Sequence, residues 1–268
     1  MDIPVHVICL DKTRTKRCDP TYDAWKKVMP NTQRLTAVTP QDFDLNKVAH
    51  PYAQSCIQLK ERKTLEMIGA ATEVACTMSH IKAWKIILNS GKPGIVVEDD
   101  MAMSPSKITR MIEQLDTMPE DTELYLLYFI GINLRSTKLP NNYIDVHRFT
   151  GTQAYYITPQ ACQKLLKFAL PVVFQVDTYM ARSGLRVRSK KKNKMSWLKF
   201  MKDGLGSTLG KTHISSIMVA MTIALTVLVL VIIVLSVIWA KKGIGKRHEL
   251  QHCEHDKTKL IRWKRNHS

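Results

Sequence analysis

The segment GIVVEDDMAMS, residues 94–104, joins a short apolar run directly to three consecutive carboxylates, Glu98, Asp99 and Asp100. An apolar run of this length, preceded by a Gly-Lys-Pro-Gly break, predicts a buried β-strand. Like charges this close repel one another and their protonation is coupled, so such a cluster needs compensation. Ligands of open α/β sheets bind beyond the carboxyl ends of the strands, which makes the end of this strand a candidate binding site.

Strand and helix patterns alternate on both sides of this segment. Apolar runs predict further strands at residues 5–10, 36–38, 123–130 and 150–158. Apolar residues at helical spacing predict helices at residues 23–28, 73–88, 108–115 and 159–168. Residues 39–55 are predicted to be loop and 175–180 a short segment that carries Asp177. The alternation predicts an α/β fold with a mostly parallel sheet.

Charge divides the chain into parts. The net charge is +17, but residues 1–185 hold 22 Lys and Arg against 19 Asp and Glu, which leaves +3. Residues 186–268 hold 18 against 4, which leaves +14. The basic character therefore belongs to the last third of the chain. We predict a folded domain at 1–185, a basic linker at 186–213, a transmembrane helix at 214–240 and a basic tail at 241–268.

The transmembrane prediction depends on residues 217–239, which contain no charged side chain. A helix of that length spans roughly 35 Å, enough to cross a hydrocarbon core of roughly 30 Å. Basic residues flank both ends, so the positive-inside rule does not fix the orientation. Scattered cysteines without a CxxC pair suggest free thiols, and no charged leader precedes a long apolar run at the N-terminus. We therefore expect a single-pass membrane protein with a cytosolic N-terminal domain.

Two features of the basic regions allow other interpretations. The linker mixes lysines and arginines with Trp197 and Phe200, which suits an anionic membrane surface. RNA binding is the alternative, but no nucleic-acid-binding motif accompanies it, so no nucleic acid is expected. The tail contains HELQH at residues 248–252, which matches the HExxH zinc-peptidase pattern. Because too little chain follows the predicted membrane span to form a cleft, we interpret this match as chance.

The three carboxylates themselves favour a hard cation. Carboxylate oxygens suit Mg²⁺ or Mn²⁺, and these ions in turn suit a diphosphate partner. A cation would offset both the carboxylate repulsion and the charge of a leaving diphosphate. The alternative is a solvated acidic turn after a strand, and the three residues alone do not decide between the two.

Five segments together resemble glycosyltransferase family 25, the lipopolysaccharide-biosynthesis and procollagen-galactosyltransferase type. They are VHVICLDKTRTKR (5–17), EVACTMSHIKAW (73–84), GIVVEDDMAMS (94–104), GTQAYYITPQACQKLL (151–166) and FQVDTYM (174–180). Their order and spacing cover roughly residues 3–182. Three departures stand out, namely Ala75 where glycine is common, Val97 for a frequent leucine, and Thr39-Pro40 for the usual Asp-Gly.

The resemblance implies a GT-A-like nucleotide-sugar-binding fold and a metal-dependent reaction with Mn²⁺ or Mg²⁺. By analogy Asp100 is the metal ligand, and Asp177 is the base that deprotonates the acceptor, unless it merely caps a helix. The resemblance places the other candidate donor-binding residues around the nucleotide: Arg14, Arg17, Ser79, His80, Glu98 and Asp99. Solvated loop arginines and a structural histidine are the alternatives for this set. Gln153 and Tyr155 are further candidates for the acceptor side, with Tyr155 equally suited to the core.

The expected activity is transfer of a hexose, galactose or glucose, from a UDP-sugar to a hydroxyl of a glycan, a lipid-linked glycan or a protein. The alternative from another class is an inactive relative that serves as a binding or structural membrane protein. A third possibility is that the chain is a membrane protein of a large DNA virus. This possibility concerns only the biological source of the protein and is compatible with an active transferase or an inactive relative.

Overall fold

The structure is a computed structural model that describes residues 2–59, 67–190 and 194–195. Within these ranges no helix combines the length and apolar character needed to cross a bilayer. The predicted transmembrane helix, the HELQH tail and most of the basic linker lie outside the described residues. The domain boundaries and the membrane anchor therefore stay predictions.

A mixed seven-stranded sheet forms the centre of the described domain. Its strands are β1 (Val5–Cys9), β2 (Thr32–Thr36), β3 (Gly94–Glu98), β4 (Leu124–Lys138), β5 (Tyr143–Ile157), β6 (Val187–Lys190) and β7 (Lys194–Met195). The order is β2-β1-β3-β5-β6-β4-β7, and β4 also pairs directly with β5. Among the described strands four pairings are parallel and three are antiparallel. The predicted α/β class with a mostly parallel sheet is confirmed.

The antiparallel pairings arise from a long hairpin formed by β4 and β5. The chain reverses between the two strands at Asn141 and Asn142, which have φ angles of 56° and 61°. Asparagine tolerates this left-handed conformation better than most residues and is therefore common in turns. Each strand has 15 residues, about twice the length that the apolar runs predict. The part of the hairpin nearest its turn contains many polar residues, so the apolar pattern does not predict that the strands extend there.

Strand β6 falls within the region that the sequence analysis assigns to a basic linker. It pairs with β4 in parallel and with β5 antiparallel. Val187 and Ser189 are buried, and the buried Arg188 forms ion pairs with Asp145 and Asp121. The excess of basic residues predicts a solvated segment here. A charge count does not reveal that acidic residues distant in sequence neutralise Arg188.

Seven α-helices accompany the sheet in the described part of the chain, besides short 3₁₀ and π-helical turns. They are α1 (Asp19–Val28), α2 (Leu45–Val48), α3 (Pro51–Gln58), α4 (Ala71–Ser90), α5 (Pro105–Ile112), α6 (Pro159–Phe168) and α7 (Val176–Arg182). The prediction for α6 is confirmed at both ends. The prediction of a loop at 39–55 is wrong, because Asp44 and His50 cap the starts of α2 and α3. The predicted strand at 36–38 is shifted, since β2 ends at Thr36.

Hydrophobic cores on both faces of the sheet make the domain three-layered. Val96 points to one face, where it joins Trp84 of α4 and Leu165 of α6. Ile95 and Val97 point to the other, where Trp25 of α1 is buried. A strand covered on both faces reads as a continuous apolar run, which explains why β3 lacks alternation. Glu98 is therefore where this strand leaves the core.

A disulfide joins Cys9, at the end of β1, to Cys18, immediately before α1. It closes a loop at residues 10–17, which consists of a 3₁₀ turn (Asp11–Thr13) and the start of a π-helical turn (Arg14–Cys18) and carries Arg14 and Arg17. The prediction of free thiols is wrong for this pair, although Cys56, Cys76 and Cys162 are free. Spacing alone did not suggest the bond because the two cysteines meet only when the chain turns back at the edge of the sheet. The pairing also removes the cysteine argument for a cytosolic domain.

We expect replacement of both Cys9 and Cys18 by alanine to lower the free energy of unfolding by about 2–3 kcal/mol, because the bond restricts the unfolded chain. Denaturant unfolding of the full-length protein with and without a thiol reductant measures the effect. Reductant should destabilise the parent protein and leave the double variant unchanged. An identical response of the two proteins would contradict a disulfide at this position.

Candidate active site

The carboxylates of residues 98–100 lie where several elements end or begin. Strands β1 and β3 are parallel, so the loop after Cys9 and the acids after Val97 leave the same edge of the sheet. Helix α4 precedes β3 and runs back along it, which brings its first half to that edge. Hydrogen bonds add Gly151 and Thr152 of β5 and Asp177 of α7. The sequence-predicted acids and their partners are thus brought together from distant parts of the chain.

Asp99 connects the end of β3 to the loop after β1. Its Oδ2 accepts a hydrogen bond of 3.3 Å from the Leu10 amide, and its Oδ1 lies 2.8 Å from an Arg17 guanidinium nitrogen. The Asp99 carbonyl accepts a hydrogen bond from the Thr21 hydroxyl of α1. Asp99 is buried, so it serves the structure of this corner and holds Arg17 in place.

Asp100 points more openly into solvent, and its side chain is 37% exposed. Arg17 reaches it at 3.4 Å while also binding Asp99. Desolvation raises the pKa of Asp100 to about 6, and the negative charge of Glu98 contributes while Arg17 opposes the shift. One guanidinium therefore does not neutralise the cluster, and a cation near Asp100 would find an electrostatically favourable place.

Glu98 is bound from two sides through the same oxygen. Its Oε1 accepts a hydrogen bond of 2.6 Å from the Thr152 hydroxyl and lies 3.5 Å from His80 Nε2. Desolvation alone would raise the pKa of Glu98, but His80, Thr152 and Arg17 together lower it below its usual value. Glu98 is therefore a fixed negative charge beside Asp100, whose pKa is raised.

Asp177 lies in the first turn of α7 and is only 8% exposed. Its Oδ2 accepts a hydrogen bond of 2.9 Å from the Gly151 amide, where a φ of 84° favours glycine. Its Oδ1 accepts from the Thr178 amide. Burial raises the pKa of Asp177, and the charge of Glu98 adds to this shift although both amides oppose it. A buried carboxylate with a raised pKa is a stronger base than a solvated one.

Cys76 is a site residue that the sequence analysis did not single out. It is a free, exposed thiol on α4. Although the residue is exposed at the surface of α4, desolvation by the surrounding residues raises the pKa of its thiol. The charges of Glu98, Asp177, Asp100 and Glu73 add to this shift, so the thiol shares the acidic corner. The signal was available in the segment EVACTMSHIKAW, where the cysteine lies one helical turn before His80.

Two predicted donor-binding residues have other partners. Arg14 lies 3.7 Å from Asp19 of α1. It differs in this from Arg17, which contacts Asp99 and Asp100. The buried Ser79 hydroxyl donates to the Ala75 carbonyl and accepts from the Val38 amide. Ser79 therefore joins α4 to the segment after β2. Arg17, His80, Glu98, Asp99, Asp100 and Asp177 remain as the residues that the structure assembles around one corner.

The described residues contain no group of three His, Cys, Asp or Glu side chains arranged to hold a metal ion. This does not disagree with the chemistry of Mg²⁺, which commonly uses one or two carboxylates together with substrate phosphates and water. Asp100 is the exposed carboxylate with a raised pKa and can supply such a ligand. The residues present therefore fit a cation that arrives with a phosphate-bearing substrate, and not a complete protein-built cage.

Comparison with known families identifies the family to which the sequence is similar. The family model of glycosyltransferase family 25, described as an LPS biosynthesis protein, matches residues 2–180. This range includes every residue of the corner described above. A search of curated proteins finds no match.

Desolvation, together with the nearby charge of Glu98, predicts that ionised Asp100 destabilises the folded protein. Its folded pKa of about 6 exceeds the ordinary value of 3.8, so the folded state loses stability as pH rises through this interval and Asp100 ionises. Asp100→Asn should therefore stabilise the protein by about 1 kcal/mol at pH 8, an amount reduced for solvent exposure, and much less near pH 4. Denaturant unfolding in the presence of a chelator measures both values.

Asp116→Asn is the control, because Asp116 is an exposed carboxylate in a turn after α5. It should change stability by less than about 0.5 kcal/mol at either pH. A larger gain for Asp100→Asn at pH 4 than at pH 8 would contradict the proposed repulsion.

Proposed function

Because the chain belongs to glycosyltransferase family 25, we propose that it transfers a hexose from a UDP-sugar to a hydroxyl of a glycan, a lipid-linked glycan or a protein. We further propose that Mn²⁺ or Mg²⁺ accompanies the donor, and that residues 214–240 anchor the enzyme in a membrane. The observation that carries the proposal is the acidic corner after β3, where Asp100 keeps a raised pKa beside Glu98.

Asp100 would hold the cation together with the donor diphosphate. The cation supplies charge stabilisation for the leaving diphosphate when it is bound. The protein contributes a carboxylate that is partly desolvated and repelled by Glu98, so its negative charge is available without reorganisation. Glu98 and the buried Asp99 surround this position and fix where the donor can approach.

Arg17 would bind the diphosphate. Its guanidinium is held at 2.8 Å from Asp99 while remaining 44% exposed, so it can keep this anchor and still contact a ligand. Guanidinium groups bind phosphate oxygens through two parallel hydrogen bonds. A cation on Asp100 would replace the longer 3.4 Å contact with Arg17 and release that side of the guanidinium for the donor.

Asp177 would act as the general base if the transfer inverts the anomeric carbon. In that step the acceptor oxygen gives its proton to the carboxylate and forms the new bond to the sugar. The bond between the sugar and the diphosphate breaks, and the diphosphate leaves with both electrons. The buried position and raised pKa of Asp177 suit this role, while its two amide hydrogen bonds fix the orientation of the carboxylate.

The first test is release of UDP from UDP-galactose and UDP-glucose by the full-length protein, with Mn²⁺ or with a chelator. Release should require the metal. It should fall by at least about tenfold in Asp100→Asn, because the cation loses the carboxylate that binds it. Asp116→Asn should retain full activity. Equal release with chelator and with metal would rule out the metal-dependent mechanism. Donor binding without release would instead identify an inactive relative.

The second test concerns Asp177. Asp177→Asn should lower kcat by roughly 10²–10⁴-fold because the amide cannot accept the acceptor proton. The dissociation constant for the UDP-sugar should stay within about twofold, since Asp177 is assigned to the acceptor and not to the donor. A weaker donor complex with unchanged kcat would reverse this assignment.

The third test compares two arginines of the same loop. Arg17→Ala should weaken binding of UDP with Mn²⁺ by roughly 10–100-fold, the cost of a hydrogen bond to a charged group. Arg14→Ala should change it by less than about twofold, because Arg14 is paired with Asp19 on α1. Titration calorimetry measures both constants. Equal losses in the two variants would show that the loop acts only through its total charge.

A further inference from the structure

Three aromatic side chains form a buried hydrogen-bonded chain behind the acidic corner. Trp84 Nε1 donates a hydrogen bond of 2.9 Å to the Tyr155 hydroxyl. The same hydroxyl lies 2.8 Å from His80 Nδ1. All three residues are fully buried, and the rings of His80 and Tyr155 stack with their centroids 5.7 Å apart. Buried polar groups of this kind specify one arrangement only when each donor meets an acceptor.

Donor and acceptor counting, taken together with the charge of Glu98, indicates where the protons of this chain lie. The Trp84 indole nitrogen can only donate, so the Tyr155 oxygen accepts from it. The Tyr155 hydroxyl can then either donate its proton to His80 Nδ1 or accept a second hydrogen bond from Nδ1–H. The second arrangement would turn the Nε2 lone pair toward the carboxylate oxygen of Glu98 at 3.5 Å, so the first is favoured and Nδ1 accepts. A neutral imidazole whose Nδ1 accepts carries its proton on Nε2. The chain thus selects one tautomer of His80.

The Nε2–H of this tautomer is directed at the acidic corner. Nε2 lies 3.5 Å from Glu98 Oε1, and within the described residues it has no closer hydrogen-bond partner. A buried N–H without a close partner is costly, so a small movement of Glu98 toward it would be favourable. Catalytic hydrogen bonds that are long in a ligand-free protein often shorten when the ligand binds.

His80 and Thr152 approach the same oxygen of Glu98. The Thr152 hydroxyl donates to Oε1 at 2.6 Å, and His80 Nε2 faces Oε1 as well. Because Thr152 binds Oε1 and His80 Nε2 faces it, Oε2 is the oxygen that remains to accept a hydrogen bond from a ligand. A hydroxyl group is the kind of donor that a carboxylate oxygen binds.

We infer that Trp84 and Tyr155 are positioning residues, which hold His80 as an Nε2–H donor to Glu98 so that Glu98 Oε2 accepts a hydroxyl of the sugar-nucleotide donor. The inference rests on the proposed function for the identity of that ligand, but not for the tautomer. Neither Trp84 nor Tyr155 touches the donor. Their effect passes through His80 and Glu98.

The test uses full-length protein with ¹⁵N-labelled histidine, in which the resonances of His80 are assigned with a His80→Gln variant. Long-range ¹H–¹⁵N correlation should show the Nε2–H tautomer of His80 in the parent protein. Tyr155→Phe removes the donor to Nδ1 and should give a mixture of the two tautomers. Tyr156→Phe is the matched control, because Tyr156 belongs to the core on the other face of the sheet and should leave His80 unchanged.

Binding of UDP-galactose and UDP-glucose with Mn²⁺ provides the second measurement. Tyr155→Phe and Trp84→Phe should each weaken binding by roughly 3–10-fold, in the range of one hydrogen bond, and Tyr156→Phe should not. An Nδ1–H tautomer in the parent protein, or unchanged tautomer and affinity in both Tyr155→Phe and Trp84→Phe, would overturn the inference. A parent protein that shows the Nε2–H tautomer but binds neither UDP-sugar would contradict the proposed function and leave the positioning of His80 supported.

Discussion

Three carboxylates at the end of one buried strand are the constraint to which the rest of this corner responds. Asp99 is compensated by the Leu10 amide and Arg17, and Glu98 by Thr152 and His80. Asp100 receives the longer contact with Arg17 and a backbone hydrogen bond, and it still keeps a raised pKa. The fold therefore compensates two acids and leaves the third under-compensated. The proposed binding site rests on that imbalance.

The compensating groups come from elements that the fold must place carefully. Arg17 belongs to a loop whose two ends are tied by the Cys9–Cys18 disulfide, so its position relative to β3 is restricted. Thr152 and Gly151 come from β5, which pairs with β3 in the antiparallel direction and so begins its inner half at the same edge. The long β4–β5 hairpin is thus directly connected to the site.

Much of this arrangement follows from the sequence, and the remainder has identifiable causes. The strand before Glu98 was predictable because it is a continuous apolar run. The helix containing His80 was predictable because its apolar residues recur at helical spacing. Strand β6 and the Cys9–Cys18 bond were not, since each depends on residues that are far apart or separated by an irregular loop. For the same reason Arg14 and Arg17 looked equivalent in sequence, whereas only Arg17 reaches the acids.

The same reasoning separates the two ways in which this corner is prepared for a ligand. Glu98 is positioned by a buried chain of hydrogen bonds, whose members have few alternatives because burial penalises any unsatisfied group. Asp100 is prepared electrostatically, because desolvation and repulsion raise its free energy while it stays accessible. Glu98 is a rigid hydrogen-bond acceptor, and the adjacent Asp100 would be stabilised by a bound cation. This combination suits the proposed diphosphate-bearing donor. Asp100 lowers the stability of the folded protein, whereas the hydrogen bonds that hold Glu98 maintain it. The geometry of the site is therefore kept although it contains a destabilising charge.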